Sequence, residues 1–421
     1  MRIPLKLNNS IFVEGKATEG QFMSSLQRDK VGTESMKGDF GKYSVVIIGP
    51  SQRFLSGISY FTLMLSNALA NYANVSVVLF RNMLPKHLFP GWKRVGKGLT
   101  QYCYRGDIQT REVLDWYNPV TWVQGSKFAG KGDVIIFQWW TSSVAHMYLA
   151  IALLNIGRKP IIIEFHEIVD PLESGFILLR LYSRITGTLI RKFSKGYVVH
   201  SDADRMLISS HYGIDTTKVR VIPHGIYDQY RILDKNDAKK HLEIQESNVI
   251  LFFGLLRPYK GVKFLIEAFE QLPSDLVNVT RLLIVGEAWE DQETYDRVKI
   301  SPRISNITLI NRYVGDDEVP YFFSVADILV IPYTRASQSG VAHIGMAYGI
   351  PIVASRVGGL EEGLGKYKGT RFVKPENTIE LTKALELTLS EREEYDPPEE
   401  LRWERIAEQW ISLIDEVAPK R

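Results

Sequence analysis

Short apolar runs alternate along this chain with stretches in which apolar residues recur every three or four positions. The first run, YSVVIIGP at residues 43–50, ends in Gly-Pro and reads as a buried strand. Ile58, Phe61, Leu65, Leu69 and Tyr72 then follow at helical steps. The runs VSVVLF, DVIIFQ, PIIIEF, GYVV and KVRVI predict further strands. Helices are expected between them from about Thr141, through GFILLRLYSRITGTLIRKF, and from Ser201. After a polar linker near 223–245 a second set begins, with strands NVILFFG, TRLLIVG, NITLI, DILVIPY, PIVAS and TRFV. Its helices are predicted near 260–271, 317–323 and 340–348, with two more behind them, the last near 403–417. Strands alternating with helices imply parallel sheets covered on both faces. The expected fold class is α/β: two Rossmann-like, doubly wound parallel-sheet domains facing a central cleft.

Four segments follow from this pattern. Residues 1–41 are polar and lack periodicity, so they read as an N-terminal extension. Residues 42–225 form a first domain, and 226–402 a second. Residues 403–421 carry a last helix whose Trp403, Ile406, Trp410, Leu413 and Ile414 suit packing either on the second domain or back on the first.

Length agrees with two domains, since 421 residues exceed one typical core. The single cysteine, Cys103, permits no intramolecular disulfide and fits a reducing compartment. The first twenty residues lack the apolar stretch of a signal peptide, and no apolar run is long enough to span a bilayer. A cytoplasmic location is therefore expected. The net charge of +3 conceals an asymmetry about Gly225: 27 Lys and Arg against 16 Asp and Glu up to it, and 24 against 32 beyond it. A basic half suits an anionic surface or substrate, although ordinary folds tolerate such imbalance.

In open parallel sheets, ligands bind at the carboxyl ends of strands. Several predicted strands here end in glycine or a polar residue: Gly49, His166, His200, Gly254, Gly286 and Tyr333. In FFGLLRPYKGV, Arg257 and Lys260 follow Gly254, two cations that suit a diphosphate or are simply solvated. In SQSGV the chain turns into a helix opening at Gly340. The first amides of a helix lack internal partners and favour an anion there. Ser339 adds a hydroxyl. A third such turn, SGIS, places Gly57 at the start of the first helix. His166 closes the strand in EFHEIVD and is a candidate for the cleft, against the ordinary reading of a packed histidine. No His-x-x-x-His and no Cys pair suggests a metal, no Gly-x-Ser-x-Gly suggests a serine hydrolase, and neither the P-loop nor the Gly-x-Gly-x-x-Gly fingerprint occurs.

Taken together, these segments resemble the retaining, family 4, GT-B glycosyltransferases (glycosyl transferases group 1). VVHSDADRMLISSHYGIDTTKVRVIPHGI, FFGLLRPYKGVKFLIEAFEQL, LLIVGEAWED, NRYVGDDEVPYFFSVADILVIPY and SQSGVAHIGMAYGIPIVASRVGGLEE carry the resemblance, in order, over roughly residues 43–417. It implies the GT-B fold, with residues 42–225 binding the acceptor and 226–402 the nucleotide sugar, and a nucleotide-diphosphate sugar, UDP- or GDP-linked, as donor, with no other cofactor. Arg257 and Lys260 would hold the diphosphate, and the backbone of Ser339, Gly340 and Val341 the distal phosphate. Gly57 would approach from the first domain, with Gly254 at the turn before Arg257. Gly286, Tyr313 and Val314 would lie near the base, and His166 near the transferred sugar and the acceptor.

Two departures stand out. Many members place the arginine two positions earlier, where this chain has Leu255. Many also carry two glutamates, with seven residues between them, on sugar and ribose hydroxyls; here those positions are Ala336 and Ile344, and Gln338 or Arg335 is left to take part of that role. The implied activity is transfer of a hexose-type sugar to a glycan, lipid-linked or small hydroxyl acceptor. Two alternatives stay open: a sucrose- or sugar-phosphate-synthase type of enzyme, and a sugar-nucleotide or glycan binding protein of the same fold with reduced activity. Nucleic acid is not an expected partner. Peripheral contact with an anionic membrane at its inner face is, because Phe176, Leu178, Leu181 and Ile185 alternate with Arg180, Arg184, Arg191, Lys192 and Lys195, and Phe89 and Trp92 adjoin Lys93 and Arg94. A core-packing helix and a surface loop are the plainer readings of those two segments.

Overall fold

The structure is a computed structural model describing residues 43–83, 95–96, 100–155, 158–168, 177–289, 291–391 and 393–418, with only the backbone of 177–180. The expected extension over 1–41, the pair Phe89 and Trp92 with Lys93 and Arg94, and the side chains of Phe176, Leu178 and Arg180 lie outside the described residues.

Seven strands form the first sheet: β1 (Ser44–Pro50), β2 (Asn74–Asn82), β3 (Gln109–Asp115), β4 (Val134–Trp139), β5 (Ile161–Phe165), β6 (Ser194–Val199) and β7 (Val219–Val221). They run parallel in the order β3-β2-β1-β4-β5-β6-β7. Ile47 of β1 pairs with Val77 on one side and Ile136 on the other. Continuous Val and Ile runs suit these strands because helices cover both faces. The helices of this half are α1 (Gly57–Leu69), α2 (Pro119–Ala129), α3 (Ala145–Leu153), α4 (Ile177–Phe193) and α5 (Asp202–Tyr212). Local chemistry sets their starts: Ser56 caps α1, Asn118 with Pro119 caps α2, and Ser201 caps α5.

Strand β3 and helix α2 were not predicted. The first four residues of β3 are exposed at the sheet edge, so its sequence QTREVLD lacks the apolar run that marks the inner strands.

The second sheet contains β8 (Asn248–Phe253), β9 (Thr280–Val285), β10 (Ile307–Ile310), β11 (Ile328–Ile331), β12 (Ile352–Ser355) and β13 (Thr370–Val373). Its order is β10-β9-β8-β11-β12-β13, again all parallel. Around it lie α6 (Lys235–His241), α7 (Val262–Glu270), α8 (Ser274–Asn278), α9 (Gln292–Ile300), α10 (Val319–Val325), α11 (Gly340–Ala347), α12 (Leu360–Gly365) and α13 (Thr378–Glu391). The chain order reverses between β1 and β4 in one sheet and between β8 and β11 in the other. Such switch points open a crevice at the strand carboxyl ends, and the segments after β1, β8 and β11 meet there.

The last helix, α14 (Trp403–Val417), packs on the first sheet. Trp403, Ile406, Trp410, Leu413 and Ile414 join a core with Val45, Phe61, Leu65 and Leu69. Trp403 also donates from its indole nitrogen to the carbonyl of Ile226 at 2.6 Å, and Tyr43 donates to Asp415 at 2.6 Å. The C-terminal helix therefore straps the second half of the chain to the first.

Candidate active site

A cleft of about 510 Å³ lies between the two halves, at both switch points. Two helices begin on it. Gly57 opens α1 and Gly340 opens α11, and both line the cleft. Tyr227 ties these starts together: its hydroxyl donates to the Gly57 carbonyl at 3.2 Å, and a β-carbon on Gly340 would lie 3.1 Å from its ring. Unpaired amides at two helix starts concentrate positive potential on one volume.

Arg257 and Lys260 stand on the same wall, after β8. The Arg257 guanidinium lies 4.9 Å from the ring centre of Trp289, and the Lys260 ammonium 3.8 Å from that of Tyr333. Burial brings the Lys260 ammonium down to about 8; an anion beside it would restore its charge. Gly254 and Gly286 end β8 and β9 with φ of +113° and +152°. A side chain on Gly286 would collide with the Gly254 carbonyl, so the backbones pass at a distance only glycine allows. Tyr313 and Val314 line the cleft beside Gly286. Below them Asp316 accepts from Tyr60 at 2.9 and 3.0 Å and from Tyr230 at 3.1 Å. Tyr60 belongs to α1, so this contact fastens one half to the other.

Of the twelve predicted site residues, nine line the cleft: Gly57, Gly254, Arg257, Lys260, Gly286, Tyr313, Val314, Gly340 and Val341. Ser339 lies behind it, buried, and caps α11 by accepting from the Ala342 amide at 3.4 Å. Gln338 turns away and donates to the Gly359 carbonyl at 3.4 Å. His166 packs against Phe61, ring centres 4.6 Å apart, and is half-buried and not among the residues that line the cleft. Ile344 does line the cleft. Glu167, Tyr259, Glu287, Trp289 and Asp316 line it too and were not singled out; each follows a strand end, which was the available signal.

His166 is part of a buried polar chain that the sequence did not suggest. Gln138 bridges Glu164 and His166, and His166 Nδ1 lies 3.3 Å from His200 Nε2. His200 Nδ1 is 3.0 Å from the Ile222 carbonyl, which only accepts, so that nitrogen carries the proton and Nε2 presents a lone pair. With the Gln138 amide donating to Glu164 and accepting from His166 Nε2, two lone pairs would face each other between the rings. Turning the amide over removes the conflict: a protonated Glu164 donates to Gln138, Gln138 to His166, and His166 to His200. Every group is then neutral, as burial favours. Burial pushes the Glu164 carboxyl up to about 8 and His200 down to about 4. Among the described residues, Glu164, His166 and His200 also bring three ligand-type atoms within 4.8 Å of one another, a grouping the sequence search for metal motifs did not find.

Two family models divide the chain between them. Glycosyltransferase Family 4 matches residues 55–230, and Glycosyl transferases group 1 matches residues 234–410. The chain belongs to these glycosyltransferases. Mannosylfructose-phosphate synthase of Agrobacterium fabrum is 25% identical over 341 residues, covering 72% of this chain and 73% of that protein. Lipopolysaccharide 1,2-N-acetylglucosaminetransferase of Salmonella typhimurium is 24% identical over 46% of this chain and 55% of its own length. In fold, sucrose-phosphate synthase of Thermosynechococcus elongatus superposes with a TM-score of 0.64 at 16% identity, covering 89% of this chain and 98% of that one. Anabaena HepE in complex with UDP-glucose superposes with a TM-score of 0.61 at 15% identity, covering 89% and 98%. The GT-B fold of this glycosyltransferase is thus shared with both.

The Glu164 chain generates a pH prediction. A carboxyl raised to about 8 in the folded state stabilises fully below the ordinary carboxylate range and loses that contribution as pH rises through the folded value. Glu164→Gln keeps a donor toward Gln138 but holds no titrating proton. In urea unfolding, the variant should gain on the wild-type glycosyltransferase steadily from about pH 5 to about pH 9. The histidines are common to both proteins and drop out of the difference. A stability gap that does not change with pH would contradict a neutral Glu164.

Proposed function

We propose that this glycosyltransferase moves a hexose-type sugar from a UDP- or GDP-linked donor to a hydroxyl acceptor, with retention at the anomeric carbon. The observation carrying this reading is the convergence of two helix starts, at Gly57 and Gly340, with Arg257 and Lys260 on one cleft. That arrangement is built for a diphosphate. HepE's complex with UDP-glucose, at the same fold, supports a nucleotide-sugar donor.

Breaking the anomeric C–O bond places negative charge on the departing diphosphate. Arg257, Lys260 and the amides at the helix starts stabilise that charge where it develops. The acceptor hydroxyl attacks from the face the diphosphate leaves, and a phosphate oxygen takes its proton. This route asks for no protein nucleophile. The two halves hold donor and acceptor together and exclude water on closing.

One surface favours a lipid-linked acceptor over a soluble one. On α4, Leu181, Ile185, Leu189 and Phe193 recur every four residues and are exposed, the first two by 55% and 52%. Ser183, Thr186 and Ile190 face inward, so the outward stripe is apolar, and Arg184, Lys192 and Lys195 lie on or beside the helix. No helix among the described residues is long and apolar enough to cross a membrane. The stripe suits lying on an anionic bilayer, with basic side chains at the headgroups.

Two experiments test these statements. Proton NMR of donor turnover should show release of the nucleoside diphosphate and a product with the donor's anomeric configuration. Lys260→Ala or Arg257→Ala should lower kcat/KM by roughly 10²- to 10³-fold. No turnover with any donor would favour a binding protein, and an unaffected Lys260→Ala variant would refute the placement of the diphosphate. Separately, the protein should float with phosphatidylglycerol vesicles and not with phosphatidylcholine ones, and Leu181→Asp with Ile185→Asp should abolish flotation. Wild-type protein that stays at the bottom of the gradient would remove the membrane contact.

A further inference from the structure

Three carboxylates line the cleft: Glu167, Glu287 and Asp316. Two of them follow Gly286 and Val314, the residues expected near the base. Asp316 is engaged by Tyr60 and Tyr230. Glu287 follows Gly286 and accepts from the Trp289 indole at 2.8 Å. Glu167 is placed differently. It stands two residues beyond the end of β5, on the first half of the chain, yet its carboxylate accepts from Ser337 Oγ at 3.1 Å, in the loop that leads into α11 on the second half. Its charge also acts on the Lys260 ammonium. The carboxylate therefore lies near both the cation and the helix start assigned to the diphosphate.

A sugar joined to a diphosphate held by that cation and helix start would carry its hydroxyls within the same cleft that Glu167 lines. A carboxylate is the strongest acceptor a protein offers to a hydroxyl, and hydrogen bonds to a charged acceptor are worth about twice a neutral one. The second half contributes no carboxylate at Ala336, next to Ser337, or at Ile344, whose side chain lines the cleft. We infer that Glu167 binds a hydroxyl of the transferred sugar, with Ser337 fixing the orientation of its carboxylate. Sugar recognition then comes from the first half of the chain, and phosphate recognition mainly from the second. The sugar is held only when the two halves meet. This inference rests on the donor-site reading above and assigns the sugar contact within it.

The test separates the two. Calorimetry gives the Kd of wild-type protein for UDP, GDP and ADP, and for UDP-glucose, GDP-mannose and ADP-glucose. For the base that binds, the ratio of the diphosphate Kd to the sugar-nucleotide Kd measures what the sugar adds. Glu167→Ala should cut that ratio by about 10- to 100-fold while changing the Kd of the diphosphate itself by less than about threefold. Ser337→Ala should lower the same ratio by a smaller factor. Glu167 is exposed, so the fold survives the change; thermal melting checks this. If Glu167 were only a fastener between the halves, both dissociation constants would rise together and the ratio would hold, which would overturn the inference. An unchanged pair of constants would also overturn it. Wild-type protein that binds none of the three diphosphates would overturn the donor-site reading and this inference with it.

Discussion

The amides that begin α1 and α11 have no partners within their helices, and the fold turns both helix starts into one cleft. Much of the site follows from that constraint. Parallel sheets place the turns after β1, β8 and β11 on the same side as the helix starts. Gly254 and Gly286 let the strand ends close on each other. Tyr227 holds Gly57 and Gly340 at a fixed spacing. Arg257 and Lys260 add charge to what the amides already favour.

The halves are joined by polar contacts that depend on both. Tyr60 reaches Asp316, Tyr102 donates to the Gln229 carbonyl at 3.1 Å, and Glu362 accepts from the Asp202 and Ala203 amides at the start of α5, the latter at 2.8 Å. His166, His200 and His224 surround Phe61 of α1, and His343 of α11 packs at a tilt against His224 with ring centres 4.4 Å apart. Burial holds all four imidazoles below their usual range. This neutral cluster sits where the first sheet, the linker and the second sheet's helix meet. A relative movement of the halves would therefore change its hydration.

Periodicity made most of the fold legible, because buried parallel strands are unbroken apolar runs and their helices repeat at 3.6 residues. It failed at β3, where exposure at the edge removes the signal. For the candidate site, glycine and cation positions were legible because they stand in the turns that follow strand ends and open helices, and those turns line the cleft. Side-chain direction was not. Ser339 could have faced a ligand and instead caps its own helix; Gln338 could have done so and turns to Gly359. Glu167 follows a strand end, but one glutamate after a histidine marks nothing more until the fold brings Ser337 to it. The Glu164–Gln138–His166–His200 chain joins three strand ends, which no local motif encodes.

The most direct test of a diphosphate between the two helix starts is the melting temperature of the wild-type protein with UDP, GDP, ADP and their sugar conjugates. A ligand that binds the folded state alone raises that temperature, by an amount that grows with the logarithm of its concentration above Kd. The structure predicts a rise with one base, present for the diphosphate and retained with the sugar attached. No rise with any of the six would contradict the claim that this cleft is a nucleotide-diphosphate site.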